Sequence, residues 1–295
     1  MIIQQQLKNR LKELKDKYNL LKIGKDDLLK LIEEAEVAES VYNSNAIENS
    51  TLTLAETERI LLELEVARQV SSREIFEAKN LARVGEYIRV KAKETDVNKE
   101  IMLFLHKMLI TAIRDDIAGR FRATGEYVRV GSHIAPPPEH VESLIDGVIG
   151  EYNNDHESYF IEKISRFHLE FENVHPFNDG NGRIGRVLVN WQLIRLGFPP
   201  IIIRNKEKSD YYDSFAIYRD KKNLKQMAKI ITLGIMESLH KRISYLEGSE
   251  KIKLSEFAKK HHKTASSLTN AARRQTIPAF REKGVWKISA NSIIE

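Results

Sequence analysis

HPFNDGNGRIGR, residues 175–186, is the stretch that decides how this chain is read. It crowds a histidine, an aspartate, three glycines and two arginines into a short polar run. The flanks have helical periodicity. FIEKISRFHLEFENV puts Ile161, Ile164, Phe167, Phe171 and Val174 on one face, and RVLVNWQLIRLG runs to Gly197 before Pro199 and Pro200 stop it. Asp-Gly and Asn-Gly pairs favour hairpin turns, but neither flank alternates as a strand does. A calcium loop would start as Asp179-x-Asn181, yet it has Ile184 where a glycine belongs and Asn190 where a glutamate belongs. A Walker loop from Gly180 to Val187 lacks the lysine and the hydroxyl. Zinc at His175 and Asp179 would need further ligands. The reading that remains is an anion cradle: a glycine-rich loop entering a helix, with free amide N–H groups and the positive end of the helix dipole.

The cradle's residue types suit phosphoryl or nucleotidyl transfer. Gly180 and Gly182 let backbone approach phosphate oxygens. Arg183 and Arg186 lie three apart on the first helical turn, so both guanidiniums could reach one polyphosphate. Asp179 is placed to hold Mg²⁺ on those phosphates. His175 has the titration range of a general base near neutrality.

Composition sets the frame. The 295 residues suggest about two domains. Hydrophobic residues at 42% support a core, and 30% charged residues suit solvated helices. The absence of cysteine excludes disulfides and thiolate metal sites and fits a reducing compartment. The opening MIIQQQLKNRLKELK has no signal-peptide core and no stretch reads as a membrane span, so a cytoplasmic protein without a membrane partner is expected. Net charge is +5, but Lys251 to Glu295 carries ten Lys/Arg against three Glu. The basicity therefore belongs to the tail, and so does any nucleic-acid argument.

The expected architecture is mostly α. Helical periodicity runs through LKNRLKELKDKYNLL, DDLLKLIEEAEVAESVY and LAETERILLELEVARQV, to about residue 70. Ser71 or Ser72 caps the next helix, and Asp96 or Asn98 the one after. Glu126–Val130 alternates as a small β-hairpin flap, Pro138 opens a helix, and Ser209 caps SDYYDSFAIYRDKKN. Gly248-Ser249 reads as a linker. Beyond it, two short helices around Thr264–Ser267 and an alternating Val285–Ile288 segment suggest a winged-helix-like module. Arg273 and Arg274 lie on its second helix, the usual groove reader. Boundaries follow at 1–96, 97–247 and 248–295.

The segment HPFNDGNGRIGR resembles the core motif of the Fic family, H-P-F-x-D/E-G-N-G-R-x-x-R, at every fixed position. The resemblance implies a Fic-type helical core that transfers AMP from ATP to a hydroxyl side chain of a target protein, or of the chain itself, with His175 as base. It implies Mg²⁺ on Asp179 and nucleotide contacts from Asp179, Gly180, Asn181, Gly182, Arg183, Ile184, Gly185 and Arg186, with Arg186 meeting the γ-phosphate. It adds Val130, Gly131, Ser132 and His133 of the flap and the pair Tyr211 and Tyr212, which residue type alone reads as core aromatics. The phosphorylating branch of the family has a lysine where this chain has Gly182. Many relatives have asparagine where this chain has Arg219, a departure on the adenosine side.

SNAIENS, residues 44–50, resembles the family's inhibitory motif S/T-x-x-x-E-G/N through Ser44, Glu48 and Asn49. It implies that Glu48 pairs with Arg186 and autoinhibits, or that it orients water to remove AMP. A homodimer would suit burial of that segment. On residue type, His168 and Glu172 read as structural. The competing expectation is a DNA-binding regulator that acts through its tail and senses ATP.

Overall fold

The computed structural model describes residues 3–294. Among them are twelve α-helices and two small antiparallel sheets. No described helix is long and apolar enough to cross a membrane. The chain forms two compact units. One is Val37–Ala228. The other combines Ile3–Glu36 with the chain from Lys229 onward. The boundaries fall inside α2 (Asp26–Ile47) and near the start of α10 (Lys225–Leu246).

The larger unit is organised around α8 (Asn181–Arg195), which follows the glycine-rich loop directly. Its residues from Ile184 to Val189 and from Trp191 to Ile194 are buried. A helix buried on every face, Arg183, Arg186 and Gln192 included, belongs at the centre of a bundle. It packs against α4 (Ser72–Lys91), α5 (Lys99–Ile110) and α7 (Phe160–Val174). Ile161, Ile164, Phe167, Phe171 and Val174 of α7 are all buried, as their spacing predicts. The Trp191 indole N–H donates to the Thr95 carbonyl at 3.1 Å, so this fully buried ring leaves no orphan donor. Ser71 caps α4 and Asn98 caps α5, each accepting a backbone N–H.

Three local expectations are corrected. The helix expected to about residue 70 is α3, Leu54–Leu61 only. Beyond it Glu63 is left-handed, and Leu62 and Leu64 are exposed. Leucines at helical spacing had no face to bury, and periodicity without a partner does not sustain a helix. Ser209 caps nothing, because α9 (Lys208–Lys221) grows out of a 3₁₀ turn at Asn205–Glu207. The flap pairs only β1 (Arg129–Val130) with β2 (His133–Ile134). Glu126 instead accepts from the Ala123 amide and from Arg120 at 2.7 and 2.8 Å. These bonds hold it in a turn.

In the second unit, β3 (Lys251–Lys253), α11 (Leu254–Lys260), α12 (Ala265–Arg273), β4 (Phe280–Glu282) and β5 (Val285–Ser289) follow α10. The sheet order is β3-β5-β4, all antiparallel. Lys283 and Gly284 join β4 to β5 with φ of 49° and 77°. Two successive left-handed residues make the tight hairpin that extends a wing. Leu254, Phe257, Leu268, Ala272 and Ile288 close a small separate core. Helix, strand, two helices and a hairpin in this order make a winged helix.

Candidate active site

The twelve-residue segment folds as a loop capping the N-terminus of α8. His175 ends α7 in the left-handed conformation, φ 48°, and Gly180 (φ 82°) opens α8. By helix geometry the amides of Asn181, Gly182 and Arg183 have no acceptor inside the helix. Asn181 stitches the loop shut: its side chain accepts from the Phe177 amide at 2.9 Å and donates to the Phe177 carbonyl at 2.7 Å. His106 of α5 supports the loop from below. It stacks on Phe177 at 3.7 Å and bonds the Asp179 carbonyl at 3.1 Å, while accepting from the Gly119 amide. Burial lowers its pKa to about 4, so it is a neutral fixture. Buried Arg122 donates to the carbonyls of His175, Val174, Glu126 and Pro136, fastening the loop to the segment that leads into the flap.

The His175 ring is neutral for the same reason as His106: burial pulls its pKa down to about 4, against the opposing pull of Glu48. A neutral imidazole carries one N–H and keeps its other nitrogen as a proton acceptor. The Glu172 carboxyl lies 3.8 Å from Nδ1. It is buried, its Oε1 has no hydrogen-bond partner, and burial followed by the charge of Glu48 pushes its pKa up to about 8.

At the far end of the segment, Arg186 is buried and held by the end of α2. Its Nε donates to Ser44 Oγ at 3.0 Å, and Nη2 donates to the Ser44 carbonyl and to Glu48 Oε1, both at 2.9 Å. Asn49 takes a conformation that Gly and Asn tolerate best. It is left-handed (φ 67°) and closes α2 in a Schellman turn, with Asn49 N–H on Ala46 O and Ser50 N–H on Asn45 O. Tyr212 donates to the Ile47 carbonyl at 2.9 Å, and Tyr211 lies under the Arg186 guanidinium. His168 bonds the Tyr211 hydroxyl at 2.8 Å. Gly182 has no room for a side chain, since a Cβ there would run into Glu48 Oε1.

Asp179 faces a different set. Its Oδ1 accepts from Arg183 Nη2 at 3.0 Å and its Oδ2 from Arg73 of α4. Arg183 Nη1 lies 3.1 Å from Glu77 Oε1, and Arg73 Nε donates to that oxygen at 3.0 Å. Burial raises the Asp179 pKa, but Arg183 and Arg73 outweigh it and hold the carboxyl below its ordinary value. A hard anionic oxygen in a setting that demands cations fits a divalent ion whose other ligands come from phosphates. No group of three or more metal ligands occurs among the described residues, so the protein offers no complete cage of its own.

The expected site residues thus fall into two groups around α8. Ser44, Glu48, Gly182, Arg186, Tyr211 and Tyr212 gather at one end, and Asp179 and Arg183 at the other. The two arginines have separate partners and do not converge. On the flap, Val130, Gly131 and Ser132 are exposed, while His133 bonds the Asn173 carbonyl at 2.9 Å. Arg273 and Arg274 lie in the other unit. Sequence reasoning missed Arg73, Glu77 and His106. An Arg–Glu pair four apart on a helix looks like any surface pair.

Residues 96–193 match the profile of the Fic/DOC family. They are a Fic/DOC domain. The chain is 31% identical over 218 residues to a protein of Nematostella vectensis called protein adenylyltransferase Fic, covering 72% of this chain and 50% of that one. It is 31% identical over 190 residues to the Culex quinquefasciatus protein of the same name, covering 63% and 37%. The chain therefore spans half or less of these relatives' length. A Fic-domain-containing signalling protein of Bacteroides thetaiotaomicron shares the fold, with TM-score 0.74 at 24% identity over 81% of this chain and 97% of that one. Within the Fic domain of this chain lie α7, the loop and nearly all of α8. Glu48 and Arg73 precede it, and Tyr211 and Tyr212 follow it.

Proposed function

We propose that the chain transfers AMP from ATP to a hydroxyl side chain of a target protein, and that Glu48 holds it inactive. The observation that supports this most is the position of a neutral imidazole at the mouth of a helix N-terminus whose arginine already meets an anion. In this reading the amides of residues 181–183 receive phosphate oxygens where the dipole favours them. The target hydroxyl attacks the α-phosphorus, its proton passes to the free nitrogen of His175, and the bond to the bridging oxygen breaks to release pyrophosphate. Asp179 would hold Mg²⁺, which when bound neutralises phosphate charge. The exposed edge of the flap suits backbone pairing with an extended target segment, which aligns a hydroxyl with little demand on sequence.

Glu48 blocks this by taking Arg186 Nη2, a donor that would otherwise turn to the terminal phosphate. Freed from Arg186, the same carboxylate is a candidate to orient water for removal of AMP. The test is incubation of the Glu48→Gly form with cell lysate and ATP labelled on the α-phosphate. Label should appear on protein and vanish when His175→Ala is added. Equal labelling with and without His175 would refute the proposal.

The winged helix favours a second reading, that the chain also binds duplex DNA. The solvent face of α12 carries Ser266, Ser267, Asn270, Arg273 and Arg274, all exposed. From Lys253 to Lys283 there are eight Lys/Arg against two Glu. The short polar side chains at the start of α12 suit base edges, and the arginines at its end suit phosphates. Fluorescence anisotropy with a labelled duplex should show affinity falling steeply with salt. Arg273→Ala/Arg274→Ala should flatten the log–log slope by roughly two. No duplex binding at low salt would remove this reading.

A further inference from the structure

We propose that Arg73 is a built-in substitute for the divalent cation, seated on Asp179 until metal and nucleotide displace it, so that it sets how readily the site accepts metal. This rests on reading the site as one for a metal–nucleotide.

Arg73, Asp179, Arg183 and Glu77 form a closed ring of ion pairs. Helix α4 supplies Arg73 and Glu77, four apart, and the motif supplies Asp179 and Arg183, also four apart. Both carboxylate oxygens of Asp179 are taken, one by each guanidinium. A cation that binds Asp179 must therefore move one arginine. Arg183 is not the one to move, because its side chain is 3% exposed. The Arg73 side chain is 52% exposed and is held by Glu77 through its Nε, so it can swing its terminal nitrogen into water without losing every partner. The exchange replaces one half-solvated pair with a metal bond.

The polarity is what makes this more than an ordinary salt bridge. At Arg186 the N-terminal region supplies a carboxylate, where a phosphate would sit. At Asp179 the same region supplies a guanidinium, where a cation would sit. The two contacts are also linked through the chain. Glu74, next to Arg73, accepts from the Thr51 amide at 2.7 Å, the Thr51 hydroxyl at 2.9 Å and the Ser50 hydroxyl at 3.2 Å. Ser50 lies two residues after Glu48. The first turn of α4 thus holds Asp179 with one side chain and the end of the inhibitory helix with the next.

The test uses the full chain with Glu48→Gly, Mn²⁺ as the probe, a non-hydrolysable ATP analogue, and the spin-resonance signal of free Mn²⁺ as readout. Arg73→Ala and Arg73→Gln should each tighten Mn²⁺ binding to the nucleotide complex by about two- to fivefold, the range of a half-exposed ion pair. Affinity for the nucleotide without metal should stay the same. Arg73→Lys keeps the charge and should fall between these and the parent. Thermal melts check that each variant is folded. Unchanged or weaker Mn²⁺ binding in the folded Ala and Gln variants would overturn the proposal. If no form binds Mn²⁺ with nucleotide, the site reading fails with it. If Mn²⁺ binding tightens but no AMP is transferred, only the reaction is wrong.

Discussion

The two ends of the motif differ in how well their charges are matched. At Asp179 two arginines face two carboxylates in a closed ring, and every oxygen of Asp179 has a donor. At Arg186 one buried arginine faces two acids. Glu48 takes one of its nitrogens, Nη2, and Glu172 is left without a hydrogen-bond partner for Oε1. Glu172 responds by keeping its proton: burial and the charge of Glu48 push its pKa up to about 8. If Glu48 restrains the site as proposed, this difference marks the end at which that restraint is released. At the Asp179 end both carboxylate oxygens are taken by arginines, so release is by exchange with another cation. At the Arg186 end two acids lie beside one arginine whose Nη1 has no hydrogen-bond partner, so loss of Glu48 removes a charge that keeps the proton on Glu172 and takes one acceptor from Arg186 Nη2.

The largest expected effect belongs to neither end but to the imidazole between them. His175→Ala should lower AMP transfer by roughly 10²- to 10⁴-fold, the usual contribution of a general base, as read by initial rates in the Glu48→Gly background. Retention of the rate would mean that another group takes the proton. Next comes Glu48→Gly itself. One charge-assisted hydrogen bond is worth about 1.5–3 kcal/mol, so its removal should raise transfer roughly 10- to 100-fold over the parent. An unchanged rate would break the comparison at the Arg186 end.

The smallest effect concerns stability. Because the Glu172 pKa is raised to about 8 from the carboxylate range, the folded state holds a proton that the unfolded chain has already lost. Its contribution is complete below about pH 4.5 and is lost as pH rises through 8. The lowered histidines His106 and His175 act on the other side, where stability is lost as pH falls from 6.5 towards 4. Glu172→Gln should therefore gain in Tm over the parent as pH rises from 5 to 8.5. Parallel Tm curves would contradict the assigned protonation.

Much of this was legible in the sequence. The apolar stripe of α7, the cap at Asn98 and the loop-to-helix character of residues 175–186 follow from local chemistry, because each depends on near neighbours. Ser44, Glu48 and Asn49 were visible only through their resemblance to the family's inhibitory motif, since a Ser–Glu pair four apart is common on any helix surface. What stayed hidden depends on distant partners. Arg73 and Asp179 are 106 positions apart, and nothing local marks a half-exposed arginine as the companion of an aspartate in a later helix cap. The separate engagements of Arg183 and Arg186 were hidden for the same reason. Helical wheels place them on one turn, but Glu77 and Glu48 draw them apart. The overrun of α3 past Leu61 is the opposite error, a pattern with no surface to pack against.

AMP transfer at the 175–186 segment, restrained by Glu48, has a direct consequence for which phosphate stays on protein. The most direct measurement gives the Glu48→Gly form ATP labelled either on the α-phosphate or on the γ-phosphate and follows which label becomes bound to protein. The account predicts α-label on protein, γ-label released as pyrophosphate, and far less of either reaction in the parent chain. Bound γ-label, or equal rates in the two forms, would contradict it.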